Sequence, residues 1–150
     1  MTNRLNFYTA SPEGTRAMLA LENYVVRSGL ESPLIELVKM RASQINGCAF
    51  CLDMHSRDAR KHGETEQRLY VLPAWRETVL FSDREKAALA WTEALTLISQ
   101  THAPDAIYEQ AREAFSEKEL ADLTLLIGTI NTWNRIAIGF RAPLPVHKAA

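Results

Sequence analysis

Apolar residues recur along this chain three and four positions apart, the period of an amphipathic helix, and no segment alternates with the period of two of a half-buried strand. Ser11-Pro12 opens the first predicted helix, pairing a capping side chain with a proline whose φ is already helical. Met18, Leu21 and Val25 give that helix an apolar stripe, and Gly29 ends it. Ser32-Pro33 repeats the start signal, Leu34, Leu37, Val38 and Ile45 form the buried face, and Asn46-Gly47 is a stop. Residues 48–61 read as a third helix ending at Gly63, and residues 65–72 as a short one stopped by Pro73. Ser82 with Glu85 forms a capping box ahead of Ala88, Trp91, Leu95 and Ile98. Residues 104–115 are a further short amphipathic helix. Ser116 with Glu119 is a second capping box, opening a long helix through Leu120, Leu123, Ile127 and Ile130. That helix is apolar almost all round, which places it at the centre of the core or in a subunit interface. Pro143 and Pro145 mark a tail over the surface or a neighbour. The pattern predicts an all-α fold in one domain over residues 1–150, without internal repeats or low-complexity stretches.

Composition narrows the class. With 150 residues, 47% hydrophobic and 23% charged, the chain suits a globular domain with a real core. Net charge is −1 and the basic residues are scattered, so neither a nucleic-acid stripe nor a polybasic membrane patch is present. Residues 1–10 lack the apolar segment of a secretory signal. No apolar run approaches the roughly 20 residues of a membrane span; the longest candidate, 123–138, is interrupted by Asn131, Asn134 and Arg135. The expected compartment is the cytoplasm, where permanent disulfides are disfavoured. The chain has two cysteines, three positions apart, a spacing that there points to redox or metal chemistry.

The chemistry concentrates between Glu36 and His55. On a helix Cys48 and Cys51 are i,i+3 and Cys51 and His55 are i,i+4, so two sulfurs and an imidazole share one stripe. Both cysteines fall in the first turn after Asn46-Gly47, where free backbone N–H groups and the helix dipole favour a thiolate. A second cysteine one turn from the first permits a cycle of sulfenic acid, disulfide and reductive reset. Glu36 lies on the preceding helix; spacing alone does not decide whether it reaches His55. Rival explanations start from the same residues. The cysteines are small enough to be plain core residues. Cys48, Cys51, His55 and Glu36 are also chemically suitable zinc ligands, although structural zinc sites take more Cys and His from separate loops. Haem attachment needs a histidine where Leu52 stands. His62 suits a helix-end cap, while His102 and His147 have no identified partner. Arg41, Ser43 and Asn46 are assigned to bracing the hairpin, Asp53 and Asp58 to the solvated face. Trp91, Trp133 and the Asn131/Asn134/Arg135 group are assigned to core and interface, the polar ones pairing across a subunit boundary.

The spacing Glu, eleven residues, Cys-x-x-Cys, three residues, His resembles the alkylhydroperoxidase AhpD-like branch of the carboxymuconolactone decarboxylase family. Residues 41–48 are similar to that family's core, and weaker likeness continues through 80–91 and 131–136, covering most of 32–138. The resemblance implies an all-α AhpD-like helical bundle with an oligomeric core, as homo-trimers or hexamers. It implies antioxidant reduction of an organic hydroperoxide or hydrogen peroxide without metal or cofactor, reset by a dithiol such as a lipoyl or thioredoxin-like protein. By the same resemblance Cys51 is the peroxidatic cysteine, Cys48 the resolving cysteine and proton donor, and His55 with Glu36 the proton relay. One departure stands out: AhpD carries a second histidine immediately before its second cysteine, and this chain has Phe50, leaving the relay one member short. Two effects compete over the more acidic thiol. The helix dipole favours Cys48 and the imidazole favours Cys51; a base in hydrogen-bond reach is directional, so Cys51 is taken as the nucleophile. The alternatives are decarboxylation of a carboxymuconolactone-type acid, which has no use for a redox dithiol, and a zinc-bound or redox-sensing oligomer.

Overall fold

Where the sequence signals a helix, the structure has one. The computed structural model describes residue 2 and residues 4–146. In chain order the helices are α1 Phe7–Ala10, α2 Pro12–Val26, α3 Ser32–Asn46, α4 Ala49–Lys61 and α5 Glu66–Val71, followed after a 3-10 segment Leu72–Glu77 by α6 Asp83–Thr96, α7 Ile98–Thr101, α8 Asp105–Ala114 and α9 Glu117–Phe140. The described residues form no strand, and none of their helices is long and apolar enough to cross a membrane. Both capping boxes form, at Ser82/Glu85 and Ser116/Glu119. Pro73 acts differently from a stop: lacking an N–H, it sits at the start of the 3-10 segment and carries the helical turn onward. The four-residue helices α1 and α7 have no sequence signature, because a single turn is too short for a periodic pattern.

The long α9 is the central helix. Leu123, Leu126 and Ile130 are fully buried. Leu123, Leu126 and Ile127 pack with Val25 of α2, Leu34 and Val38 of α3 and Ala88 and Trp91 of α6 in the main cluster. Its opposite face stays open: Thr124, Leu125, Gly128, Thr132 and Ile138 are exposed. A second cluster joins Leu37 and Met40 of α3 to Leu72, Trp75, Phe81 and Leu89.

The turn between α3 and α4 sets the rest of the site. Gly47 adopts φ 69°, ψ 35°, the left-handed region. Its N–H donates to the Gln44 carbonyl at 3.3 Å, and the Cys48 N–H donates to the Ser43 carbonyl at 3.0 Å. This is the Schellman pattern, which satisfies the last carbonyls of α3 and reverses the chain at once. Gly47→Ala places a Cβ on a left-handed residue and is expected to cost about 1 kcal/mol of stability. Urea unfolding of the reduced protein measures this, and an unchanged midpoint would contradict the role given to the turn.

Candidate active site

Because α3 ends in this motif, α4 begins with Cys48 as its N-cap, the sulfur accepting the Cys51 N–H at 3.4 Å in place of the usual Ser or Asp oxygen. Cys48 and Cys51 are unbonded and almost wholly buried. Their sulfurs lie 2.6 Å apart in hydrogen-bond contact, against about 2.05 Å for a disulfide bond. Closing that bond needs little backbone movement. The Cys48 pKa is lowered from the ordinary thiol value to about 7, first by the hydrogen bond from the Cys51 thiol; burial opposes, and the Cys51 N–H, the Asn134 amide and the Phe50 N–H assist. The Cys51 pKa is pushed strongly upward, because its proton is held by Cys48, burial disfavours its charge and the neighbouring thiolate repels a second one. The two sulfurs therefore titrate as one unit that loses a single proton near neutrality. The acidity order thus differs from the one inferred from His55: the helix end and the thiol hydrogen bond favour Cys48.

His55 is engaged elsewhere. Its Nδ1 lies 2.9 Å from Glu36 Oε2, and both side chains are buried. The tight hairpin makes this contact, bringing residues 19 apart in sequence side by side. Glu36, His55 and Cys51 line a cavity of about 700 Å³, whereas Cys48 lies behind Cys51 and is not part of the lining. Phe7, Leu19, Phe50, Met54, Trp133 and Ile136 supply apolar wall. The chain ends help to enclose it. Phe7 stacks on Phe140 with ring centres 6.4 Å apart and meets Trp133 edge-on, also at 6.4 Å, and the Arg4 N–H donates to the Phe140 carbonyl at 3.3 Å.

Several residues of this site carry no motif. Lys39, one turn after Glu36, lines the cavity almost fully buried and pairs with Glu22 of α2. Glu22 also accepts the Trp133 indole N–H at 3.1 Å. The phase of Lys39 with Glu36 was the one available signal; Glu22 had none. Trp133 also forms a wall of the cavity. Asp58 also lines it, paired with Lys61 at 2.8 Å. Beneath the cysteines, the Asn46 amide donates to Asn131 and Asn134, both at 2.9 Å; Asn134 donates to the Ser43 hydroxyl at 3.0 Å, and Asn131 to Thr96 at 3.0 Å. These asparagines find partners inside the chain, correcting the expectation of pairing across a boundary. Arg41 joins Glu93 at 2.8 Å and so ties α3 to α6, not to α4. His62 is the C-cap residue of α4. His147 lies outside the described residues. Among the described residues no group of three or more His, Cys, Asp or Glu converges in a metal-binding arrangement.

Comparison with known proteins follows the same residues. The sequence model of the Carboxymuconolactone decarboxylase family matches residues 12–94. YdfG of Bacillus subtilis, an uncharacterised protein, is 49% identical over 138 residues, which are 92% of this chain and 94% of that protein. A crystal structure of an Agrobacterium tumefaciens protein, described as of unknown function with an AhpD antioxidant-defence role suggested, superposes with a TM-score of 0.94 at 49% identity, covering 97% of this chain and 100% of that one. The alkyl hydroperoxide reductase AhpD of Hyphomonas neptunium is 37% identical over 62 residues, 41% of this chain and 32% of that protein.

The thiolate absorbance of the reduced protein is expected to rise with a midpoint near 7 and an amplitude of one thiolate, not two. Asn134→Ala moves that midpoint upward. The depressed pKa of Cys48 stabilises the folded, reduced protein above the ordinary thiol value, and that contribution is lost as pH falls through about 7. A midpoint at the model-peptide value of 9.0 would remove the shared thiolate.

Proposed function

This chain belongs to the carboxymuconolactone decarboxylase family as an AhpD-like member, and on that premise we propose that it reduces hydroperoxides through a Cys48–Cys51 dithiol/disulfide cycle. The observation that carries the proposal is the pair of free sulfurs 2.6 Å apart, one at the wall of an apolar cavity and one behind it. Such an arrangement separates the two roles of a peroxidatic dithiol. Cys51 meets the substrate, and Cys48 stays out of its reach until the first oxidation is done.

Before reaction the thiolate rests mainly on Cys48. Passing the Cys51 proton across the short contact moves the negative charge to the sulfur that lines the cavity. That thiolate attacks the terminal oxygen of R–O–OH, the O–O bond breaks, and Cys51 becomes a sulfenic acid. The departing alkoxide takes a proton from Cys48 or His55 and leaves as R–OH. Cys48 sulfur then attacks the sulfenic sulfur, the Cys51 S–O bond breaks, and water leaves with its proton supplied through His55. Two electrons have passed from the dithiol to the peroxide. Glu36 holds the imidazole by Nδ1, fixing its orientation. An external dithiol, of the lipoyl or thioredoxin-like kind, reduces the disulfide again. The exposed strip of small and apolar residues on α9 supports assembly into a homo-oligomer.

Stoichiometric oxidation tests this. Reduced protein mixed with one equivalent of cumene hydroperoxide is expected to lose both thiols rapidly; Cys51→Ser is expected to lose none, and Cys48→Ser to react once without turnover. Equal residual turnover in the two variants would reverse or void the assigned roles. Glu36→Gln and His55→Gln are expected to lower kcat roughly 10²-fold or more if they carry protons. Unchanged steady-state rates would take them out of the relay.

A further inference from the structure

Three carboxylates and three cations line the cavity, but they do not pair off with one another. Each of its three carboxylates already has a partner: Glu22 is held by Lys39, Glu36 by His55 at 2.9 Å, and Asp58 by Lys61 at 2.8 Å. Two of its cations, Arg4 and Arg141, meet no carboxylate among the described residues. Both belong to the C-terminal end of α9. Arg4 donates its backbone N–H to the Phe140 carbonyl at 3.3 Å and its Nη1 to the Gly139 carbonyl at 3.0 Å. Arg141 is the residue that follows Phe140. Its backbone has φ 56°, ψ 56°, the left-handed region where glycine is favoured and an arginine is strained. That conformation closes α9, the Ala142 N–H donating to the Ala137 carbonyl at 2.8 Å, and it leaves the Arg141 side chain at the cavity.

From these observations we propose that Arg4 and Arg141 form an anion subsite at the cavity, for the carboxylate head of an amphiphilic ligand whose apolar body lies along Phe7, Phe50 and Trp133. A guanidinium group suits a carboxylate, which it engages through parallel charge-assisted hydrogen bonds. The wall between that subsite and Cys51 is apolar and offers a hydrocarbon body what it needs. Resting on the peroxidase function for its reacting group, the substrate class becomes the hydroperoxide of an apolar carboxylic acid. The acid R–O–OH gives up its terminal oxygen to the Cys51 thiolate and leaves as R–OH, its carboxylate unchanged. Arg4 also satisfies carbonyls at the C-terminus of α9, an ordinary task for a cation there. Arg141 makes no such side-chain bond among the described residues and is therefore the cleaner probe.

Arg141→Gly removes the guanidinium and relieves the left-handed backbone, so the variant has no reason to misfold. Arg141→Lys keeps a positive charge. Calorimetric titration of reduced protein with decanoate and with decanol compares one apolar body with and without the charge. Decanoate is expected to bind more tightly than decanol by roughly tenfold or more, as a charge-assisted pair would give. That preference is expected to collapse in Arg141→Gly, to survive in part in Arg141→Lys, and to shrink as salt is raised. Equal binding of the two ligands, or the same preference in Arg141→Gly, would overturn the subsite. A kinetic arm uses linoleic acid hydroperoxide and its methyl ester: the ratio of their kcat/KM values is expected to favour the acid in the wild type and to fall towards unity in Arg141→Gly. If cumene hydroperoxide leaves both thiols intact, the peroxidase function fails instead, and the decanoate titration still decides the subsite.

Discussion

The reversal of the chain at Gly47 is the constraint on which the site depends. A left-handed glycine lets α3 stop and α4 start with only Gly47 and Cys48 between them. The two helices then run back to back in a fixed register: Ser43 meets Cys48 at the turn, and Glu36 meets His55 farther out. Lengthening the connection by one residue would rotate α4 by about 100°, the turn per residue of an α-helix. Cys51 and His55 would leave the cavity together. The same motif uses the last carbonyls of α3 and leaves the first N–H groups of α4 free to face sulfur. One backbone conformation therefore supplies both the geometry of the site and part of its electrostatics.

Acidity and access fall on different sulfurs. The N-cap position and the hydrogen bond from Cys51 hold negative charge on Cys48, which is shut away from the cavity. Cys51 lines the cavity but keeps its proton. In a single reactive cysteine the two properties must coincide, and the thiolate then stands permanently open to any oxidant. Here the charge resides on the hidden partner and reaches the open one only by proton transfer over 2.6 Å. In the proposed cycle nucleophilicity is thereby available on demand, and the partner that takes the proton is already in place to close the disulfide.

What was legible in the sequence was what is local. Capping residues, prolines and the three-and-four spacing located the long helices. The cysteine pair and His55 could be placed on one stripe because helical phase depends on sequence distance alone. Contacts between helices were not legible in that way. The approach of Glu36 to His55 depends on a turn whose tightness is a backbone property. Lys39 and Glu22 come from different helices and carry no motif. Trp133 read as core because an aromatic on an apolar helix usually is; only the packing of residues 4–8 and 140–143 around it makes it a cavity wall. Acidity within the pair was not legible either, since a comparison of dipole with imidazole omits the sulfur-to-sulfur hydrogen bond, the largest influence on Cys48.

Polar residues on α9 complete the logic. An amide in the middle of an apolar helix costs stability unless its hydrogen bonds are met. Asn134 is fully buried, yet its carbonyl oxygen is taken by Asn46 and its amide by Ser43. Asn46 is the last residue of α3 and Ser43 the carbonyl partner of the turn, so the network ties the central helix to the hairpin at its point of reversal. The same amide lowers the pKa of Cys48. Phe50, standing where AhpD has a histidine, adds apolar wall to the cavity instead of a proton carrier. The proton carriers of the proposed cycle are thereby Cys48, Cys51, His55 and Glu36. A fixed set this small works only if its members are held in place, which is what a satisfied, buried amide network between α3 and α9 provides.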